Sequence, residues 1–168
     1  MKNLKFVCAI IICVLHTAIK AQDKTDQQVS FATFEIYDAR ENGNDITPDI
    51  IEQKAKLVLY KSNDSKEIMF SNFWEKADSQ SFGRIYAITK EENAATDKLY
   101  GNVLYNFQWS YINTYDDKEG TAKIRLLIVY KPEGVYFQCT IIPENLKELV
   151  YKGRMEGSLE KLQGTSKN

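Results

Sequence analysis

Beyond residue 21, this 168-residue chain has no histidine and only one cysteine. The single histidine, His16, and two of the three cysteines, Cys8 and Cys13, precede that point. Imidazole is the side chain that proteins use most for proton transfer near neutral pH, and together with thiolate it dominates zinc sites. The remaining thiol, Cys139, has no internal disulfide partner. We therefore expect no histidine-based catalysis, no His or Cys metal site and no cofactor.

The N-terminal segment that holds those residues has the parts of a signal peptide. Residues 1–5 carry two lysines, residues 6–19 are almost entirely apolar, and Ala21 is a small residue at which signal peptidase can cut. An apolar run this short contrasts with the roughly 20 residues that a membrane-spanning helix needs, which argues against a retained anchor. We predict cleavage after Ala21, export to the periplasm, cell surface or medium, and no stable membrane span afterwards.

A run of basic residues is also missing. Of the 22 Lys and Arg residues, three precede residue 22, which leaves 19 against 23 acidic residues and a net charge of −4. Neutralisation of phosphates by Lys and Arg supplies most of the affinity for nucleic acids. The composition therefore predicts no nucleic-acid partner.

Apolar and polar residues alternate with period two over long stretches, which is typical of β-strands because successive side chains point to opposite faces. The clearest stretches are residues 99–111, 121–131 and 135–141. The sequence KPEG at 131–134 predicts a tight hairpin between the last two, since proline presets φ and glycine permits a positive φ. Shorter strands are predicted upstream and at the end, over residues 29–37, 55–61, 67–74, 81–89 and 150–159, with bends or bulges at Gly153 and Gly157.

Helical signals are few. Residues 47–52 could open a short helix, because Thr47 can cap and Pro48 suits the first turn, but their alternation also permits a strand. Residues 143–149 begin with proline and contain good helix formers, so we predict one or two helical turns there, near the C-terminus.

These patterns predict an all-β fold in a single domain over residues 29–160, after a polar lead-in at 22–28 and before a polar tail at 161–168. About eight antiparallel strands would form a meander that closes into a small barrel-like, calycin-like domain or a two-sheet sandwich. Sequential hairpins favour the barrel. An eight-stranded barrel either fills its interior with side chains or holds one small ligand.

Several phrases of the sequence resemble a family of small exported proteins of unknown function from Bacteroidota-type bacteria. The phrases that carry the resemblance are SQSFG at 79–83, WSYINTY at 109–115, GTAK at 120–123, IPENL at 142–146 and YKG at 151–153. The resemblance implies export and brings no activity, cofactor or catalytic residue.

An aromatic-rich stripe along one predicted strand offers a candidate binding site. Its members are Val103, Tyr105, Phe107, Trp109 and Tyr111. They would line a ligand cavity if the barrel has one, and would otherwise form its core. Stacking on a glycan would instead use rings on the outside, and Tyr100, Tyr115 and Tyr136 are the candidates for that.

Carboxylates are the remaining candidates for chemistry. Asp116, Asp117 and Glu119 cluster in one predicted loop, but a glycosidase needs a second carboxylate across a cleft, and three acids in a hairpin loop are typical of a solvated turn. Residues 38–45 carry oxygen ligands around a glycine, yet they lack the regular ligand spacing of a calcium loop. We predict no catalytic residue and no metal ligand.

The sequence favours an exported, non-enzymatic envelope or surface interaction protein on a filled β scaffold, with a protein partner contacted by loops such as residues 113–120. The alternatives are a calycin-like carrier of a small apolar or amphipathic ligand and a histidine-free hydrolase that uses carboxylates. Fold alone does not decide among these three functions.

Overall fold

The computed structural model describes residues 29–61, 67–144, 147–162 and 165–166. The signal peptide predicted over residues 1–21, with its cleavage site at Ala21, and the lead-in at 22–28 lie outside them. The described residues form ten strands and one helix: β1 Val29–Glu41, β2 Asn44–Asp45, α1 Thr47–Glu52, β3 Ala55–Lys61, β4 Ile68–Trp74, β5 Ser79–Asn93, β6 Asn102–Asn113, β7 Lys118–Lys131, β8 Gly134–Pro143, β9 Leu149–Gly157 and β10 Thr165–Ser166.

Eight of these strands form a closed antiparallel barrel. Leaving β2 aside, each strand from β1 to β9 pairs with the next one along the chain, and β9 then pairs with β1. Two short strands lie outside the ring: β2 extends β1, and β10 pairs in parallel with β5. The predicted all-β barrel is confirmed, and the sandwich alternative is excluded.

The alternation of side chains explains why these segments pair as they do. Along β7, Ala122, Ile124 and Leu126 are buried in the barrel, whereas Lys123 and Arg125 between them are exposed. A slip of one residue would exchange the two sets, so the hydrophobic pattern fixes the register.

The predicted turn at residues 131–134 links β7 and β8 as expected, and Gly134 has a φ of +145°. The preceding link is shorter than predicted. The pairing of β6 with β7 extends to Asn113 and Lys118, which leaves a four-residue turn in which Asp117 has a φ of +53°.

The helix predicted over residues 143–149 is wrong. Pro143 is the last residue of β8 and pairs with Ala122, while Leu149 opens β9 and pairs with Ile141. The chain must reverse between these two paired ends, and this constraint overrides the weak local helix propensity. Asn145 and Leu146 lie outside the described residues.

The helix of the described chain is α1, in the segment whose pattern permitted either a helix or a strand. Pro48 lies in its first turn, as expected, but Thr47 does not cap it. The Thr47 hydroxyl instead accepts a hydrogen bond from the backbone N–H of Ala39, at 2.9 Å. Among the described residues, no helix is long and apolar enough to cross a membrane.

Hydrophobic side chains from beyond the strand ends join the barrel core at both ends. Ile50 of α1 follows the end of β1 and is buried. Leu159 and Leu162 follow the end of β9, at the opposite end of the barrel, and are buried in the same core. β10 comes after Leu162 in the chain and lies within residues 161–168, the segment predicted to be a polar tail.

Tyr151 should make the stability of the barrel fall at alkaline pH. Burial raises the pKa of its phenol to about 12, whereas an unfolded tyrosine titrates near 10. The unfolded chain therefore loses this proton first, and the free energy of unfolding should decrease from pH 10 to pH 12, by about 2–3 kcal/mol for two pKa units. Urea unfolding at a series of pH values measures this loss.

The matched variant is Tyr151→Phe, which keeps the ring and removes the titrating hydroxyl. It should show a clearly smaller decrease between pH 10 and pH 12. If the free energy of unfolding decreases equally in the variant and the parent protein, other groups cause the decrease. The phenols of Tyr60 and Tyr105 are candidates, because burial also raises their pKa values.

Candidate functional site

The aromatic stripe of β6 faces the barrel interior. Val103, Tyr105, Phe107 and Trp109 are all at most 4% exposed. Phe70 of β4 packs edge-on against the rings of Phe107 and Trp109, with centroids 6.0 and 5.0 Å away. Such edge-to-face pairs are a favourable packing of aromatic rings. Four of the five candidate ligand residues are thus part of the packed core.

Tyr111, the fifth, lies at the end of the stripe and is only partly buried. Its ring tilts against Trp109, with centroids 4.4 Å apart, and covers Gly120 on the neighbouring strand. It also lines an open cleft of about 520 Å³ beside the β6–β7 turn, together with Asp116 and Glu144. Burial, with a smaller effect of the Asp116 charge, raises the pKa of the Tyr111 phenol.

A short chain of polar side chains links β4 to β9 in the barrel. The indole N–H of Trp74 donates to Oδ1 of Asn72 at 3.2 Å, and Nδ2 of Asn72 donates to the Tyr151 hydroxyl at 3.3 Å. Trp109 differs, because its buried Nε1 has no acceptor among the described residues. Asn72 shares the parity of Phe70 on β4, but no pattern in the sequence marks it as a functional residue.

The acidic loop forms a hydrogen-bonded turn. Asp116 accepts a hydrogen bond from Asn113 Nδ2 at 2.9 Å and lies 2.8 Å from the Lys118 ammonium, whose hydrogen bond lowers the pKa of this carboxyl. A general acid needs the opposite shift near neutral pH. The cleft brings Asp116 and Glu119 together with Glu144, a carboxylate that the sequence cluster did not include.

The oxygen-rich segment at residues 38–45 makes local contacts. Asp38 lies 3.5 Å from Arg40 and 3.4 Å from Lys152, and Asp45 accepts a hydrogen bond from the backbone of Thr47. No group of three or more His, Cys, Asp or Glu side chains in the described part of the chain could hold a metal ion. Cys139 is buried, and burial raises the pKa of its thiol.

The outer surface of β6–β9 is mainly positive, and its carboxylates, Glu119 of β7 and Glu156 of β9, lie only near strand ends. Strands β6 and β8, residues 121–131 of β7 and residues 149–154 of β9 contain no aspartate or glutamate. They contain five cations: Lys123, Arg125, Lys131, Lys152 and Arg154. Four of them alternate with buried residues, and Lys131 shares the parity of Lys123 and Arg125 on β7, so the five lie on the outside of the barrel. We call this surface the basic wall.

Few of these cations are paired. Lys152 and Lys131 contact the carboxylates of Asp38 and Glu133, which lie beyond the wall, at 3.4 and 3.9 Å. Lys123 and Arg125 at its centre have no carboxylate within ion-pair distance among the described residues. Their charge is therefore available to a partner.

Two of the three tyrosines proposed for glycan stacking lie at one end of the basic wall. The Lys131 ammonium lies 4.7 Å from the ring centre of Tyr136 and 5.7 Å from that of Tyr100. The Arg154 guanidinium lies 5.9 Å from Tyr136 on its other side. Tyr115, by contrast, is 83% exposed on the β6–β7 turn.

The sequence contains a signal for the basic wall, although it has no run of basic residues. Between residues 100 and 156, the acidic residues lie in turns or at strand ends, whereas cations such as Lys123 and Arg125 lie within strands. Only the pairing of β7 with β8, and of β8 with β9, brings these cations onto one surface.

Comparisons of this chain with protein-family models, with curated proteins and with solved structures gave no match.

Proposed function

We propose that this chain is an exported, non-enzymatic interaction protein whose filled barrel is a rigid scaffold and whose basic wall contacts the partner. The packing of the β6 stripe carries the proposal, because it places the aromatic rings in the core rather than around a ligand. Export rests on the N-terminal segment, which lies outside the described residues.

Every barrel strand contributes side chains to one continuous core. Its members include Phe34, Leu57, Phe70, Ile85, Phe107, Ile124, Phe137 and Tyr151, one from each strand in turn. Binding sites for small molecules are concave and bury most of the ligand. A barrel that is filled by its own side chains, with Ile50 and Leu162 packed beyond the strand ends, supports a scaffold rather than a carrier.

The basic wall is the surface of this scaffold that differs most from the rest of the chain. The sequence beyond residue 21 has a net charge of −4, yet the wall segments of four adjacent strands, which leave out Glu119 and Glu156 near the strand ends, present only cations and neutral groups. Segregated charge attracts a partner of opposite sign and accelerates its association. The wall is therefore the interaction surface that the structure supports best.

Native mass spectrometry of the protein purified from its own host tests the filled scaffold. We expect the mass of the mature chain without a bound small molecule, and no saturable binding of an apolar fluorescent probe. An apolar molecule that co-purifies and is released on unfolding would contradict the proposal. A probe that binds with one-to-one stoichiometry and quenches Trp109 would contradict it as well.

One observation favours the carrier as a second candidate. The indole N–H of Trp109 is buried without an acceptor, and a buried donor left unpaired costs about 1–3 kcal/mol. A ligand with a carbonyl or hydroxyl oxygen in the interior would satisfy it. The same mass measurement distinguishes the two candidates, because only the carrier predicts a bound molecule.

A further inference from the structure

We propose that the basic wall binds an acidic polysaccharide, with sugar carboxylates on its cations and sugar hydroxyls on the neutral side chains beside them. This inference names the partner class of the interaction surface, and it rests on the proposed function.

Neutral side chains flank the central cations of the wall, and three of the four can hydrogen-bond. Arg125 pairs with Asn106 on one side and with Thr140 on the other, and Lys123 pairs with Gln108 on one side and with the apolar Ile142 on the other. Side chains directly opposite each other on neighbouring strands have Cβ atoms about 4.5–5.5 Å apart, so one sugar ring can contact both. A guanidinium matches a carboxylate with two parallel hydrogen bonds, and an amide both donates and accepts.

Exposed aromatic rings lie at the margins of this arrangement. Tyr86 on β5 pairs with Gln108 and is 41% exposed, and Tyr136 lies between two cations of the wall. Aromatic faces provide apolar contact area, and the phenol hydroxyl adds a polar group at the rim. Cation, amide and ring together match the carboxylate, the hydroxyls and the C–H face of an acidic sugar.

The spacing of the charges favours a polysaccharide over a nucleic acid. Lys123 and Arg125 are two residues apart on one strand, about 6.8 Å, and Lys152 lies two strands away from β7, about 9.5 Å. Duplex DNA has a much denser charge, one per about 1.7 Å of helix axis with both strands counted. Separated cations with neutral groups between them suit a polymer with one carboxylate on each sugar ring and uncharged hydroxyls between the carboxylates, as in an oligogalacturonate.

The surroundings of Arg125 also favour a polysaccharide over a protein partner. The energetic centre of a protein interface is usually a large, well-packed apolar or aromatic anchor. Around Arg125, the neighbours on the adjacent strands are Asn106 and Thr140, which bind hydroxyl groups more readily than they anchor an apolar side chain.

Isothermal titration calorimetry with a purified oligogalacturonate tests the proposal. We expect saturable binding that weakens as salt is added, and at least tenfold weaker binding of the fully methyl-esterified oligomer, which has the same backbone without the charge. The double variant Lys123→Glu/Arg125→Glu should weaken binding at least tenfold. The matched control Lys61→Glu/Lys76→Glu makes the same change in net charge away from the wall and should stay within twofold of the parent protein.

A second variant separates sugar recognition from simple attraction between charges. Gln108→Ala keeps every charge and should weaken oligogalacturonate binding severalfold, with no effect on polyglutamate of equal charge. Circular dichroism verifies that each variant is folded, and the single variant Arg125→Gln replaces the double variant if that one does not fold.

Absence of oligogalacturonate binding would overturn the inference, as would equal affinity for polyglutamate or single-stranded DNA. Loss of binding in the Lys61→Glu/Lys76→Glu control would also overturn it. The calorimetry reports on the outer wall, whereas the mass measurement reports on the interior. A failed inference is therefore distinguishable from a failed proposal of a filled scaffold.

Discussion

Replacing Trp109 with alanine is expected to lower the free energy of unfolding by about 3–5 kcal/mol, the usual cost of truncating a buried large aromatic side chain. Trp109 is 2% exposed and contacts both Phe70 and Tyr111, so its removal leaves a space that the rigid strands can only partly close. Urea unfolding monitored by circular dichroism measures the change. The loss is a large part of the 5–15 kcal/mol that stabilises a typical domain.

The same variant distinguishes a filled barrel from a carrier by the sign of its effect on binding. A filled barrel should gain affinity for a small apolar molecule such as benzene, because the truncation creates a dry cavity. A carrier should instead lose the ligand that the parent protein holds. Tyr115→Ala is the control, since this tyrosine is 83% exposed and its removal should change stability by less than about 0.5 kcal/mol. A similar small loss in Trp109→Ala would contradict the core position of this residue.

Replacing Gly153 with alanine is expected to weaken the seam at which the barrel closes. A β-carbon on Gly153 would collide with the backbone carbonyl oxygen of Glu35 and would lie 3.2 Å from Cα of Ile36. The obstacle is backbone, so β1 and β9 must separate to make room. We expect a loss of at least about 3 kcal/mol, at or above the usual 1–3 kcal/mol for overpacking a core.

Gly101→Ala is the matched control for this prediction. The nearest atom to its added carbon lies 3.4 Å away, which is ordinary van der Waals contact, so stability should change little. Thermal unfolding followed by circular dichroism compares the two variants. If Gly153→Ala unfolds within a few degrees of Gly101→Ala, the seam accommodates a side chain and the closure is looser than the structure indicates.

The strands and hairpins of this fold could be predicted because their signals are local. Alternation along residues 121–131 and the glycine at position 134 each act within one hairpin. The closure of β1 on β9 has no such signal, since Phe34 pairs with Met155 across most of the chain. The helix prediction for residues 143–149 is wrong because a long-range pairing overrides a local signal. The segment has helical propensity, but the strand pairing of its two ends determines its conformation.

The candidate sites also differ in whether their signal is local in the sequence or arises only from strand pairing. The β6 stripe was recognisable from its parity, but only packing against Phe70 shows that it is core. The basic wall combines cations from two strands, β7 and β9, and on neither strand are they consecutive, so the sequence shows no basic run. Surfaces that arise from pairing between strands are therefore the part of function that a sequence pattern predicts least well.

The pairing of β1 with β9 also constrains when this protein can finish folding. β1 is the first barrel strand to be synthesised, yet one of its two edges has no partner until the last barrel strand exists. Pairings of such long sequence separation form slowly, and an unpaired edge strand is prone to associate with other chains. We therefore expect the complete barrel to form only after β9 has been synthesised and is free to pair with β1.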